Sequence, residues 1–146
     1  MKLARITLLV AFCLLLAACG GSSSGSGSPG TINGNWAATL SGTGVSPSVP
    51  VTIQFTVTLN QTSPPAVDAT NFTRPNSCFS DPSTLSATFS GGAFTLQILA
   101  FSGAFQNKLN LQGNLDGNTI TANWTFVGGA SQESCSASGT FKMTRS

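Results

Sequence analysis

Enzymatic chemistry near neutral pH needs a base, an activated nucleophile or a metal-ligand set, and this chain is poor in all three. It contains no His and no Tyr. That removes the commonest general base, the Ser-His-Asp and Cys-His arrangements, and zinc sites that use imidazole. The carboxylates are Asp68, Asp81, Asp116 and Glu133, all in turn-like or strand-end contexts. Glycoside hydrolysis needs two carboxyl groups facing each other, and no spacing here argues for such a pair. Lys108 and Lys142 could activate a serine, but both read as solvent-face residues. The Gly-rich stretches at 20–30, 91–92 and 128–129 do not join a strand to a helix as a phosphate loop does. The inventory points away from an enzyme and calls for no cofactor and no metal. The remaining reactive groups are four cysteines, Cys13, Cys19, Cys78 and Cys135.

Their contexts differ. Lys2 and Arg5 precede an apolar run from Ile6 to Leu16, broken only by Thr7, and small residues follow. The run is shorter than the roughly 20 residues that span a bilayer. Positive, apolar, then small is the order of a secretory signal. The ending Leu16-Ala17-Ala18-Cys19 resembles the lipobox of bacterial lipoproteins. That resemblance implies removal of 1–18, a diacylglycerol thioether on Cys19, and anchoring to a membrane of the cell envelope. Gly20 rather than Asp after the cysteine implies, by analogy with enteric sorting, the outer membrane, periplasm-facing or surface-exposed. Residues 20–30 are Gly, Ser and a single Pro, so 19–30 reads as a lipidated cysteine with a flexible tether. Its r.m.s. reach is about 18 Å.

Removing the signal takes Cys13 away, and lipidation uses Cys19. Cys78 and Cys135 remain in a compartment where disulfides persist, and their pairing is the expected outcome. The bridge would close a loop of roughly 58 residues, worth about 4 kcal/mol in the chain-entropy model. Signal removal also takes Lys2 and Arg5, the source of the whole chain's formal charge of +2. Arg74, Lys108, Lys142 and Arg145 then balance Asp68, Asp81, Asp116 and Glu133. A neutral domain without a basic cluster has no footprint for nucleic acid.

Residues 31–146 fit a single domain. Their pattern is period two. In 51–60, Val51, Ile53, Phe55, Val57 and Leu59 alternate with polar residues without a miss. The same alternation runs through 118–126 and 134–144, and more weakly through 35–41, 84–90, 93–100 and 107–115. A shorter candidate covers 66–72. Ser90-Gly91-Gly92 and Asp116-Gly117-Asn118 supply tight hairpin turns between these runs. No stretch shows helical periodicity over three turns. Eight strands with short connections predict an all-β antiparallel meander, and closure removes its exposed edges. The expected fold is a small up-and-down β-barrel of about eight strands, with a two-sheet β-sandwich as the alternative.

Gly34-Asn35-Trp36 resembles the Gly-x-Trp signature of lipocalin-like and avidin-like barrels, in which the tryptophan plugs the closed end. Ile120-Thr121-Ala122-Asn123-Trp124 is similar to the internal tryptophan strands of the avidin-like group. The resemblance makes Trp36 and Trp124 candidate ligand-binding residues, lining an apolar pocket with Phe55 and Phe141. The competing reading is that the same side chains fill a dry core. No polar set of the kind that cradles biotin is assigned.

Three sequons, at Asn60, Asn71 and Asn123, read as chance matches. The Thr-rich outer faces lack a regular repeat and read as ordinary β-surface. Phe72, Phe79, Phe101 and Phe105 lie in or beside irregular segments, either as an exposed apolar rim or as a cap on the barrel end. The expected function is a membrane-anchored envelope lipoprotein that presents a non-enzymatic barrel for binding or interaction. The partner is a protein or a small apolar ligand. The alternatives are a carrier of a small apolar ligand and a periplasmic hydrolase inhibitor, the latter by architectural analogy alone.

Overall fold

The computed structural model describes residues 30–45, 47–73, 78–79, 83–102, 105–129 and 135–146. The expected signal, Cys19 and most of the expected tether lie outside these residues, as do Arg74, Asp81 and Glu133. Eight strands follow one another: β1 (Gly34–Gly44), β2 (Pro50–Ser63), β3 (Ala66–Thr70), β4 (Ser83–Ser90), β5 (Ala93–Ser102), β6 (Phe105–Asp116), β7 (Thr119–Val127) and β8 (Ala137–Arg145). Each pairs antiparallel with its neighbours in sequence, and β1 pairs with β8, so the sheet closes into an up-and-down barrel. The open sandwich alternative is excluded.

The alternation explains the closure. On β2, Ile53, Phe55, Val57 and Leu59 are buried while Thr52, Gln54, Thr56 and Asn60 are exposed. The same parity holds on β1, β5, β7 and β8. Each strand therefore has one face that must leave water, and a closed barrel buries all of them against one another without leaving an edge. Turn chemistry sets the register at one end. Gly91 and Gly92 have φ of 58° and 89°, and Gly117 has 56°, conformations that side chains with a Cβ rarely adopt. They close two-residue connections between Ser90 and Ala93 and between Asp116 and Thr119.

The last strand differs in its start. The alternation runs back to Ser134, but β8 begins at Ala137 and Cys135 lies in the connection before it. Cys135 is held there by its sulfur, so its place in the alternation has no ladder to follow. The 66–72 candidate is likewise trimmed to Ala66–Thr70, because Asn71 takes a left-handed φ of 52° that leaves the strand.

Candidate functional site

The candidate ligand-binding tryptophans come first. Trp36 and Trp124 are each 1% exposed. The Trp36 indole N–H donates to the Ile32 carbonyl at 2.8 Å, satisfying the ring's one polar group within the protein. The Arg145 guanidinium stacks over the indole, with its carbon 5.0 Å from the ring centroid. Arg145 also donates to the Thr31 carbonyl. The segment before β1 is thereby drawn across the barrel end, and Ile32 is fully buried beneath it. Trp36 plugs this end.

Trp124 fills the barrel further up. Its N–H donates to the Ser41 carbonyl at 3.2 Å. Its cross-strand partner is Gly139, whose partner on the other side is Gly42. A Cβ on Gly42 would come within 2.9 Å of the Trp124 ring and 2.1 Å of the Ser138 carbonyl oxygen. A Cβ on Gly113 would meet the Phe141 ring at 3.1 Å. Glycines at inward positions thus give up their side-chain space to the neighbouring aromatics. Small beside large is the pattern by which narrow barrels fill their interior.

The opposite end is capped. Phe79 is 2% exposed and sits in a chain of ring contacts. Phe55 meets Phe72 at 5.2 Å, Phe72 meets Phe79 at 5.7 Å, and Phe79 meets Phe126 at 5.1 Å. The Cys78–Cys135 disulfide is present and ties the β3–β4 connection to the β7–β8 connection. Asn107, fully buried, joins the same two segments. Its amide donates to the Cys78 carbonyl at 2.8 Å, and its oxygen accepts from the Gly129 N–H at 2.8 Å. Of the four phenylalanines singled out by sequence, Phe72 and Phe79 belong to the cap. Phe101 is 38% exposed, at the rim. The Phe105 side chain lies outside the described residues.

The described ionisable groups are scattered. Asp68 and Asp116 are exposed on strands that are not neighbours, and Lys108 and Lys142 face solvent. Among the described residues no group of three His, Cys, Asp or Glu side chains could hold a metal.

Concavities lined by described residues open on the outer face. One, of about 670 Å³, runs over β5, β6 and β7. A second, about 240 Å³, continues it toward β4 and shares Thr95, Asn110 and Gln112 with it. A third, about 390 Å³, lies on β1 and β2 around Gln54 and Thr56.

Searched against protein-family models, the curated proteins and the solved structures, the chain finds no match.

Two interior residues carry signals the sequence reading did not use. Asn107 shares the inward parity of Leu109 and Leu111, and Arg145 continues that of Phe141 and Met143. A polar residue at an inward position is a cue for a specific buried contact. The amides of the large concavity carry a third signal. Asn110, Gln112 and Asn114 alternate along β6, although Asn is disfavoured in strands.

Proposed function

We propose that this protein is a lipid-anchored lipoprotein of the bacterial envelope whose barrel is a non-enzymatic binding module that works through its outer surface. The observation that carries the surface reading is the occupied interior. Trp36 and Trp124, the residues that would line a ligand pocket, are buried against the protein's own side chains and main chain. Both barrel ends are closed, one by Trp36, Ile32 and Arg145, the other by Phe79 under the disulfide. A carrier of apolar ligands needs a cavity of about 300 Å³ or more inside. This packing argues against it and leaves the outer concavities and the loop end as the recognition surfaces. The hydrolase-inhibitor reading uses the loop end and stays as the second proposal, with exposed Val45, Val49, Phe101 and Val127 at or beside that end as its support.

Anchoring rests on Leu16-Ala17-Ala18-Cys19 and the Gly/Ser tether. The chain enters the barrel at the Trp36 end, where β1 begins. A tether at Cys19 therefore puts that end nearest the membrane and the disulfide-capped end away from it. The outer membrane is the proposed site, periplasm-facing or surface-exposed. The test is metabolic labelling with a radioactive fatty acid, comparing wild type with a Cys19→Ala precursor. The expected result is label on the wild-type protein and none on the variant, whether the variant is released or held by its uncleaved signal. An unlabelled wild type, or label that persists in Cys19→Ala, refutes the lipid anchor.

A further inference from the structure

The register brings together on the outer face side chains of three strands, which the alternation along β6 alone does not reveal. Gln97 pairs across to Asn110, and Asn110 to Thr125. One step along, Thr95 pairs to Gln112 and Gln112 to Asn123. The next outward row holds Ala93 and Asn114. Five amides therefore stand on three adjacent strands, around the β5–β7 concavity and its extension. Among the described residues no charged side chain lines either depression.

Most amides at the barrel ends have structural work. Asn33, Asn35, Gln61, Asn71 and Asn107 all hold main chain or a neighbouring side chain. Gln97 and Asn110 bond to each other at 3.0 Å. Gln112, Asn114 and Asn123 are exposed, adjacent, and make no side-chain hydrogen bond to a described residue. Asn is depleted in strands because its amide competes for local backbone groups. Two Asn and one Gln therefore stand together at the centre of a sheet face with their amides open to solvent and available to a ligand.

An amide presents coplanar donors and an acceptor, a combination that matches pairs of neighbouring hydroxyls. Among the described residues no cation lines the concavity itself; on the same outer face Lys108 and Asp116 stand just beyond it along β6, of opposite charge, and Lys142 lies across from Thr121. The aromatic rings beneath it, Phe94 and Trp124, are buried and give no anchor for a peptide side chain. Between Asn110 and Asn114 the strand runs about 13 Å, enough for a short chain to lie along it. We propose that this concavity binds a neutral saccharide chain, with Gln112, Asn114 and Asn123 as its principal hydrogen-bonding groups. The proposal rests on the reading that recognition occurs on the outer face. Without a stacking ring, binding at one site is weak, in the millimolar range. Many copies on one membrane would raise it by avidity.

The test uses the full chain, labelled with nitrogen-15, in detergent. It is titrated with maltohexaose, cellohexaose, chitohexaose and mannohexaose, and with hexagalacturonate as the acidic comparison. At least one neutral hexasaccharide is expected to shift the side-chain amide resonances of Gln112, Asn114 and Asn123 saturably. Gln112→Ala and Asn123→Ala should each weaken binding at least fivefold. Gln54→Ala, in the β1–β2 depression, should leave it unchanged. No shift with any neutral sugar, preference for hexagalacturonate, or equal loss in Gln54→Ala overturns the proposal. The interior's occupancy is read separately by its tryptophans, so failure here is distinguishable from failure of the outer-surface reading.

Discussion

At the scale of single residues, the barrel is decided by where side chains are missing as much as by where they are large. Gly139 lies between Trp124 and Gly42, and a Cβ there would sit 2.1 Å from the Ser41 carbonyl oxygen. Main chain cannot give way as a flexible side chain can. Gly139→Ala is therefore expected to destabilise the barrel by about 3 kcal/mol, at the upper end of ordinary overpacking, as measured by urea unfolding. Asn107 makes the complementary case. Its amide satisfies two main-chain groups that are otherwise held in the cap. Asn107→Ala leaves both without that partner and should cost about 2–3 kcal/mol. A value below about 0.5 kcal/mol would mean that water replaces the amide freely. Neither role was legible beforehand. The parity of Asn107 and Gly139 shows that they face inward, but their partners sit on strands and loops far away in sequence. Only the register names them.

At the scale of elements, strands and connections were legible to different degrees. The unbroken alternation of 51–60 located β2, because a strand with one wet face has no other way to write its sequence. The turns at Gly91-Gly92 and Gly117 were legible for a similar reason, since positive φ selects glycine. The β3–β4 connection was not. Phe79 looked as suited to an exposed rim as to a plug, because burial of a loop residue depends on what the loop crosses. The pairing of Cys78 with Cys135 was reached by elimination, and the structure bears it out. Its role as the fastening of the cap came only with the fold. Replacing both cysteines by serine is expected to lower stability by about 2–4 kcal/mol. Hydrogen exchange should then rise first around Phe79 and at the start of β8, while β5 to β7 stay protected. Uniform loss of protection would show that the bond supports the whole barrel rather than its cap.

At the scale of the whole molecule, the protein is a closed barrel with a buried apolar core, and the proposed function holds it near a membrane and has it recognised from outside. The closed barrel follows from eight alternating segments joined mostly by short connections, and it was predictable for that reason. Whether such a barrel is hollow was not, because the same inward Trp, Phe and Leu positions serve a lined pocket and a packed core equally well. The glycines beside Trp124 and Phe141, and the two closed ends, favour the packed core. Trp36 and Trp124 are the only tryptophans in the chain and both lie inside, so their emission reports directly on the interior. The most direct test is to titrate the intact protein with an apolar probe that quenches tryptophan, such as a nitroxide-labelled fatty acid. We expect blue-shifted emission and no saturable quenching at concentrations below the probe's self-association. Stoichiometric, saturable quenching would place a ligand inside the barrel. It would contradict the filled core and restore the carrier.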